Sequence, residues 1–376
     1  MALLTITRHR RYTRNHTWHA DIADRALFLK ASPDPAQARA EHAGHARIRE
    51  HYPVPRLHAA LRIGPWTLTA YERWPPARAG ALLLDEITHA EQGGGTTRLD
   101  ACLDAVFARY RTAISQTLRL IPGCGTVTKL YADRAAPGGR LDAYYRDDRP
   151  WPLSAAVRVR PSELAALRLI VNGKYHGVDF AAVIASCREN LAPAQLVWAA
   201  VTQGDPTDLN IGWSQATGPV WFDYDTAGLN ALPGEFACFL LYQRLHGAWL
   251  TPKYNPAAFR DHPAALAPPS IPPPAVSVTT RASSLTIDYR HAPSAARRHV
   301  IRRYLDEIVR PAVSSLGISD AAGWLRPYLA MRLLAVYDLT NLQPADTALS
   351  LALLAQALDP DTPLAAILGL GQSAAD

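Results

Sequence analysis

The sequence contains no uninterrupted apolar run of about 18 residues, the length that a membrane-spanning helix requires. Its first residues, MALLTITRHRRYTRNH, hold too short an apolar stretch for a secretory signal before basic residues begin. The four cysteines lie far apart and form no CxxC pair, which excludes zinc-site spacing and a dense disulfide framework. These absences predict a cytoplasmic protein with no membrane partner, whose cysteines are buried free thiols.

Motifs of several enzyme classes are also missing. Ser214, Ser283 and Ser284 have no GxSxG-like surroundings, so acyl transfer through a serine finds no support. The histidines lack HExxH spacing, and we expect surface or packing roles for them. The glycines of EQGGGTTR (91–98) lack the preceding strand and following helix that a phosphate-binding loop needs, so a flexible loop is predicted there.

Length and charge leave several classes open. A chain of 376 residues can form two lobes, and its apolar content of 48% predicts a folded protein. The net charge of +6 favours acidic partners such as nucleotides, phosphorylated metabolites or nucleic acid. Basic residues are spread through the chain except in RHRRYTR (8–14) and ARRHVIRRY (296–304). A nucleic-acid-binding module built on these two clusters is therefore one alternative, and the less favoured one.

Residues 1–74 predict a small antiparallel sheet with one helix. HTWHADI (16–22) and RALFLKA (25–31) are strand-like runs that form a plausible hairpin. SPDPAQARAEHAGHARIREHY (32–52) has a Ser and an Asp at its start, an early Pro and then helix formers, which is typical of a capped helix. Short strands return in 53–74, and the Pro–Pro pair that follows predicts the end of this lobe.

Residues 75–376 predict a larger, mainly helical lobe. A hairpin-like segment at 196–226 interrupts it, and the segment 255–275, rich in Pro and Ala, predicts an extended loop or mobile insertion. We find no internal repeat. Helices are predicted over 82–87, 99–118, 162–171, 181–190, 234–250, 296–313 and 323–339, and in the Leu/Ala-rich tail.

One loop carries a constellation suited to phosphoryl transfer. In LVWAAVTQGDPTDLNIGW (196–213), Asp205 and Asn210 lie five residues apart between two strand-like runs, and VWFDYDTAG then adds Asp223 and Asp225. Carboxylate and amide oxygens suit Mg²⁺, and one carboxylate can orient an acceptor hydroxyl. An ordinary polar turn is the alternative interpretation of the Asp–Pro–Thr–Asp tract.

Two further groups complete the set. Phosphoryl transfer also needs a lysine on the nucleotide phosphates. Lys30 ends the strand-like run ALFLK, and Glu41 follows eleven residues later in the predicted helix. A surface lysine and a solvated glutamate are the alternative interpretations.

These segments resemble the aminoglycoside phosphotransferase family. QGDPTDLN and VWFDYDTAG resemble its catalytic loop, HGDxxxxN, and its metal-binding segment. RNHTWHA resembles the family's nucleotide loop, LFLK its strand lysine, RAEHAGHARIREHYPVPRL its glutamate helix, and LTAYERW its hinge. The resemblance is strongest over 12–74 and 196–230, roughly a quarter of the chain, and elsewhere depends on the order of elements.

The resemblance implies a two-lobed α+β protein-kinase-like fold, with residues 1–74 as the N-lobe and 75–376 as the C-lobe. Asp205 is then the catalytic base, and Asn210 and Asp223 hold Mg²⁺. Lys30 contacts the nucleotide phosphates and is steadied by Glu41. Nucleotide contacts are further implied for Asn15 and for the hinge residues Tyr71, Glu72 and Arg73.

Three departures from the family pattern stand out. Gln203 replaces the His of the catalytic loop, and we expect its amide to hydrogen-bond backbone in the same way. The nucleotide loop RYTRNHTW contains no glycine, which makes close backbone approach to phosphates harder. Glu235 lies about where the family has a structural Asp.

The expected function is Mg²⁺-dependent transfer of a phosphoryl group from ATP or GTP to a hydroxyl of a small molecule. The basic chain argues against a polycationic acceptor and for a neutral or anionic one, such as a nucleoside, a sugar or an antibiotic. A composition rich in Ala, Arg and Pro is typical of high-GC bacteria, where such kinases can act in antibiotic self-resistance. The alternative is a catalytically silent pseudokinase that binds nucleotide or a partner protein.

Overall fold

The computed structural model of the protein describes residues 5–10, 15–22, 25–74 and 80–371. The loop before Asn15, the turn between the first two predicted strands and the predicted Pro–Pro lobe boundary lie outside these ranges. Within the described ranges, no helix is both long enough and apolar enough to cross a membrane.

A five-stranded antiparallel sheet forms the N-terminal part, in the spatial order β1-β2-β3-β5-β4. In the central strand β3, Lys30 pairs with Thr17 on one side and Thr69 on the other. Because side chains alternate along a strand, Phe28 and Lys30 share one face. The strands are β1 (Thr5–Arg10), β2 (His16–Ile22), β3 (Arg25–Ser32), β4 (Leu57–Ile63) and β5 (Trp66–Glu72).

Helix α1 (Pro35–Ile48) connects β3 to β4 and confirms the helix expected within 32–52. Asp34 caps it, since its carboxylate accepts hydrogen bonds from the N–H groups of Ala36 (2.8 Å) and Gln37 (3.3 Å). Pro35 suits the first helical position because its missing N–H would have no partner there. Glu41 and Ile48 are seven residues apart on one buried helical face, so α1 points Glu41 inward.

The rest of the chain is mainly helical, and one large apolar core runs through it. Wider helical turns at Tyr242–Leu250 join α7 to α8, and similar turns at Leu305–Val309 join α9 to α10. The helices are α2 (Leu83–His89), α3 (Thr97–Thr117), α4 (Ala132–Ala135), α5 (Arg140–Tyr144), α6 (Phe180–Asn190), α7 (Leu232–Leu241), α8 (Thr251–Tyr254), α9 (Ala295–Tyr304), α10 (Arg310–Ser315), α11 (Ala321–Ala335), α12 (Pro344–Leu358) and α13 (Leu364–Ile367).

Short strands carry the site segments of the helical part. Strand β12 lies between β7 and β15, and β13 pairs with β14 and with β6. The loop 203–210 connects β12 to β13, and Asp223 follows β14. The strands are β6 (Ala81–Leu82), β7 (Arg119–Pro122), β8 (Trp151–Pro152), β9 (Arg158–Val159), β10 (Arg168–Val171), β11 (Lys174–His176), β12 (Leu196–Thr202), β13 (Ile211–Ser214), β14 (Gly218–Trp221), β15 (Gly228–Ala231), β16 (Ala275–Arg281) and β17 (Ser284–Arg290).

The helix predicted over 162–171 is wrong. A short 3₁₀ turn at Pro161–Ala166 precedes strand β10, which pairs in parallel with β17. Leu169, Ile170 and Val171 are apolar enough for either structure, but Asn172 and Gly173 form a tight turn that pairs β10 with the adjacent strand β11, and β17 adds a second partner. The β16–β17 hairpin that supplies this partner was not predicted from the sequence.

The Pro-rich segment 255–275 packs against the rest of the protein and is not a mobile insertion. It contains two single turns, Pro256–Phe259 and Pro263–Leu266. The Phe259 side chain is fully buried and packs with Ala265 against Leu84 of α2. An aromatic anchor of this size holds the segment in place, although Pro keeps it from forming a long helix.

Candidate active site

A cleft of about 640 Å³ lies between the five-stranded sheet and the helical part. Its volume is within the range of small-molecule sites. Seven of the nine residues proposed from the sequence line it, namely Asn15, Lys30, Glu41, Tyr71, Glu72, Asn210 and Asp223. The folding of two distant segments thus brings the sequence-predicted nucleotide and metal residues together.

Lys30 lies at the centre of an ion-pair network in the cleft. Its Nζ is 2.7 Å from Oε2 of Glu41 and 3.5 Å from Oδ1 of Asp223. The Tyr71 hydroxyl donates to the other oxygen of Glu41 at 3.1 Å. Burial lowers the pKa of Lys30, but the Asp223 and Glu41 carboxylates outweigh it, so the pKa is raised and the ammonium stays charged. Strand β3 and helix α1 therefore hold one fixed positive charge in the cleft.

The loop 203–210 presents Asp205 beside the cleft. The side-chain amide of Asn210 donates to the Asp205 carbonyl at 3.0 Å, and the Thr207 N–H donates to the same oxygen at 2.7 Å. These bonds to the Asp205 carbonyl fold the loop into a tight turn and do not engage the Asp205 carboxylate. Because the Asn210 amide nitrogen is engaged, its Oδ1 is the end that remains for a cation.

Gln203 ties the loop to the segment that carries Asp223. Its side-chain amide donates to the carbonyls of Phe222 (3.0 Å) and Asp223 (2.8 Å) and accepts the Asp205 N–H at 2.7 Å. Gln203 is fully buried, so these bonds form away from water. The expectation that Gln would bond backbone in place of His is confirmed.

Glu235 of α7 holds the start of the same loop in place. Its carboxylate accepts hydrogen bonds from the Gly204 N–H (2.9 Å), the Thr202 hydroxyl (2.8 Å) and the Tyr110 hydroxyl (2.9 Å). Burial raises the pKa of Glu235 to about 7, although these hydrogen bonds act in the opposite direction. A carboxyl group on α7 therefore fixes the residue that precedes Asp205.

Asp223 has a left-handed backbone conformation, with φ of 57°. Such a conformation is strained for most L-residues and is tolerated by Asp, and it points the side chain into the cleft. About half of the side chain is exposed, toward the cleft, although the surrounding protein still shields the carboxyl group from part of the water. This shielding, with repulsion from Asp225 and Glu41, outweighs the attraction of Lys30 and raises the pKa of Asp223 to about 6.

Asp225 is held away from this role by other partners. Its carboxylate pairs with Lys129 and accepts a hydrogen bond from the Gln37 side chain at 3.2 Å. Among the described residues, no group of three or more His, Cys, Asp or Glu side chains is arranged to hold a metal ion. Asn210 and Asp223 together offer a half-set of hard oxygen ligands. This fits Mg²⁺, which is commonly bound by one or two protein oxygens and by substrate phosphates.

The backbone of the predicted hinge, residues 71–73, is less available to a ligand than the resemblance implies. The N–H groups of Glu72 and Arg73 donate to the carbonyls of Arg56 (2.8 Å) and Ala26 (3.0 Å), so neither N–H faces a ligand. The Arg73 guanidinium pairs with Asp21 at 2.8 Å and does not line the cleft. The sequence therefore located the hinge segment, but two of its backbone donors are used within the sheet.

Sequence reasoning missed several residues around the site. Cys238, three residues after Glu235 on α7, donates its thiol to Oδ1 of Asp205 at 3.2 Å. Arg332 of α11 lies 3.6 Å from the same oxygen. At the cleft mouth, His262 of the Pro-rich segment contacts Asp85 at 2.6 Å. The spacing of Cys238 from Glu235 could have indicated a shared helix face, whereas nothing local indicates Arg332 or His262.

The basic cluster 296–304 is not a free basic surface. Arg297 is buried and pairs with Asp208 at 2.9 Å. Arg303 contacts Asp104 and Glu307, each at 2.6 Å. Two of the four arginines of this cluster are thus neutralised within the protein, which weakens its support for nucleic-acid binding. Most of the other cluster, 8–14, lies outside the described residues.

The cysteines are free, and three of them, Cys102, Cys187 and Cys238, are buried as expected. Cys124 is exposed, which corrects the expectation for that thiol.

Solved structures share this architecture. The structure of aminoglycoside phosphotransferase APH(4)-Ia superposes with a TM-score of 0.50 and 11% identity, over 98% of this chain and 94% of that chain. Ethanolamine kinase from Plasmodium vivax gives 0.40 and 11%, over 95% of this chain and 82% of that one. A microcompartment-associated aminopropanol kinase gives 0.37 and 11%, over 95% and 90%.

At these identities the likeness speaks for the fold, and the first structure alone is similar enough to carry that argument. The chain therefore has the kinase-like α+β fold, with an antiparallel sheet followed by a mainly helical part, as expected. No protein-family model matches the chain, and no curated protein matches it by sequence.

Proposed function

We propose that the protein is a small-molecule kinase that transfers the γ-phosphoryl group of ATP or GTP to a hydroxyl of its acceptor. One observation carries the proposal. The Lys30–Glu41 pair, Asp223 and Asn210 face one cleft, and Asp205 lies on the same loop as Asn210, tied to it by a hydrogen bond. A lysine, oxygen ligands and a carboxylate are the parts that phosphoryl transfer requires.

On the donor side, Lys30 binds the nucleotide phosphates, and Glu41 together with Tyr71 keeps its ammonium group in place. The Asp223 carboxylate and Asn210 Oδ1 would hold Mg²⁺. When bound, Mg²⁺ supplies charge neutralisation for the β- and γ-phosphate oxygens. Asn15 and the hinge residues Tyr71 and Glu72 line the cleft and contribute to its nucleoside end, whereas Arg73 does not line it.

On the acceptor side, Asp205 orients the attacking hydroxyl. The hydroxyl oxygen forms a bond to the γ-phosphorus, the bond between that phosphorus and the β–γ bridging oxygen breaks, and the hydroxyl proton passes to the Asp205 carboxylate. The products are a phosphate monoester and ADP or GDP. Cys238 donates to one carboxylate oxygen, which leaves the other oxygen for the substrate.

The test is a mass-shift screen. Purified protein with ATP, GTP and Mg²⁺ is incubated with nucleosides, sugars and antibiotics, and Asp205→Asn is the control. Addition of one phosphoryl group by the wild type, lost in Asp205→Asn, supports the proposal. Mg²⁺-dependent nucleotide binding with no product from any acceptor favours the pseudokinase instead. Absence of nucleotide binding overturns the kinase assignment.

Several finer expectations stay predictions. These are the lobe boundary after residue 74, the choice between ATP and GTP, a cytoplasmic location and a role in antibiotic self-resistance. The mass-shift screen addresses the donor and the acceptor directly, because each nucleotide and each acceptor class is measured separately.

A further inference from the structure

Two arginines converge on the end of helix α11, on the acceptor side of Asp205. Arg134 of α4 and Arg140 of α5 each donate through Nη1 to the Ala335 carbonyl, both at 3.0 Å. Because two guanidinium groups share one oxygen, they are close neighbours despite their like charge. Binding at a helix C-terminus accounts for one donor of each arginine, and a guanidinium has five.

Helix α11 itself supplies a third arginine. Arg332 lies three residues before Ala335, is 4% exposed, and approaches Oδ1 of Asp205 at 3.6 Å. Its Nε has no hydrogen-bond partner among the residues that the structure describes. A buried guanidinium with an unused donor is unfavourable unless something else binds it. Arg134, Arg140 and Arg332 are named the arginine cluster below.

The cluster has an excess of positive charge. Asp205 is the carboxylate that faces it, while Asp338 is engaged by Arg149 at 2.8 Å and Asp142 by Arg188 at 2.5 Å. Burial, followed by repulsion from the other two members of the cluster, lowers the pKa of Arg134 to about 10. Three like charges beside the Asp205 carboxylate leave an excess of positive charge among the described residues, which favours the binding of an anion.

Resting on the proposed function, we propose that the acceptor is an alcohol that also carries an anionic group, a phosphate or a carboxylate. The arginine cluster binds this group through paired N–H donors, which suit the planar fork of a guanidinium. Binding there places the hydroxyl of the same molecule beside Asp205. A polycationic acceptor would be repelled by the same three charges.

The first experiment measures anion binding directly. Protein saturated with Mg·ADP, which occupies the Lys30 side, is titrated with inorganic phosphate or with malonate at constant ionic strength, and thermal unfolding is recorded. Saturable stabilisation is expected. Comparing phosphate with malonate distinguishes a phosphate-bearing acceptor from a carboxylate-bearing one. No saturable effect of either probe overturns the proposal.

Variants locate the binding. Arg332→Gln, and the double variant Arg134→Gln with Arg140→Gln, should each weaken binding of the better probe about tenfold or more. The double variant is informative if Arg332→Gln does not fold, because Arg134 and Arg140 are only half-buried. Arg310→Gln is the matched control, since Arg310 is 72% exposed and pairs with Asp306 on the surface. Equal weakening in the control, or none in the cluster variants, overturns the proposal.

Asp205→Asn separates ligand binding from a structural role. If Arg332 only holds Asp205 in place, this variant leaves anion binding unchanged, which contradicts the proposal. If the cluster binds an anion, removal of the neighbouring negative charge should tighten binding about fivefold. Failure of the proposed function is recognised separately, because Mg·ADP then gives no stabilisation, and the anion titration is repeated in Lys30→Met without nucleotide.

Discussion

The two sides of Asp205 carry opposite charge. On the nucleotide side, Lys30 faces the carboxylates of Glu41 and Asp223, so negative charge is in excess. On the other side, the arginine cluster faces the single carboxylate of Asp205, so positive charge is in excess. The nucleotide side therefore favours a cation bound beside the nucleotide phosphates, whereas the side of the arginine cluster favours a bound anion.

Under the proposed function, this difference in charge would place the two substrates on opposite sides of Asp205. In that function a nucleotide would share Mg²⁺ with the first side, whereas an anionic alcohol would satisfy the second side without a metal ion. Repulsion from the Glu41 and Asp223 carboxylates would disfavour an anionic alcohol without Mg²⁺ on the nucleotide side. The boundary between the sides is the loop 203–210, whose position depends on buried hydrogen bonds from Gln203 and Glu235.

The largest effect is expected for Asp205→Asn, which removes the proposed catalytic base at the boundary of the two sides. Phosphoryl transfer should fall about 10³-fold, because proton acceptance and hydroxyl orientation are lost together. Binding of Mg·nucleotide should change little, since Asp205 does not line the nucleotide cleft. Product formation and nucleotide titration measure the two quantities. Equal loss of both would show that the two sides are not separable.

Lys30→Met tests the nucleotide side alone. Because it leaves Glu41 buried with one hydrogen bond from Tyr71 as its support, the free energy of unfolding should fall by about 3 kcal/mol. Nucleotide affinity should fall with it, while phosphate binding by the arginine cluster is retained. The double variant Lys30→Met/Glu41→Gln removes the unpaired charge and should recover part of the stability. Urea unfolding that gives no recovery would contradict the buried-charge explanation.

Glu235, which holds the loop between the two sides, predicts a dependence of protein stability on pH. Its folded-state pKa of about 7 exceeds the ordinary value of 4.5, so the folded state binds the proton more tightly than the unfolded state. The associated stability is fully present below pH 4.5 and is lost as the pH rises through 7, by about 3 kcal/mol in total. Glu235→Gln should not show this contribution. Identical pH profiles of unfolding for both proteins would contradict it.

Gln203→Ala should give the smallest of these effects, about 2 kcal/mol of stability together with slower turnover. It removes hydrogen bonds that join the Asp205 loop to the carbonyls of Phe222 and Asp223 and leaves those groups unsatisfied. Gln203→His is the matched control and should retain most of the turnover. Turnover and urea unfolding are measured on both variants, and a His variant as impaired as the Ala variant would exclude this bridging role.

The sequence predicted best where the signal is local. Lys30 and Glu41 lie within one strand-and-helix unit, and Asp205, Asn210 and Asp223 lie within one hairpin, so short-range pattern was enough to group them. Strand β10 was misassigned because the Asn172–Gly173 turn signal, which pairs it with β11, was overlooked, while its other partner β17 follows more than a hundred residues later. The arginine cluster was missed because no local pattern relates α4 or α11 to the loop 203–210.

Two contacts around the site join residues that lie far apart in the sequence. Phe259 packs on Leu84, and Arg332 approaches Asp205 from a helix that is synthesised well after it. Contacts between distant residues form slowly because a large chain entropy opposes them. We therefore expect the cleft mouth and the arginine cluster to form late in folding. If the proposed function holds, the folding protein would have its nucleotide residues in place before α11 docks, but not the residues that select an acceptor.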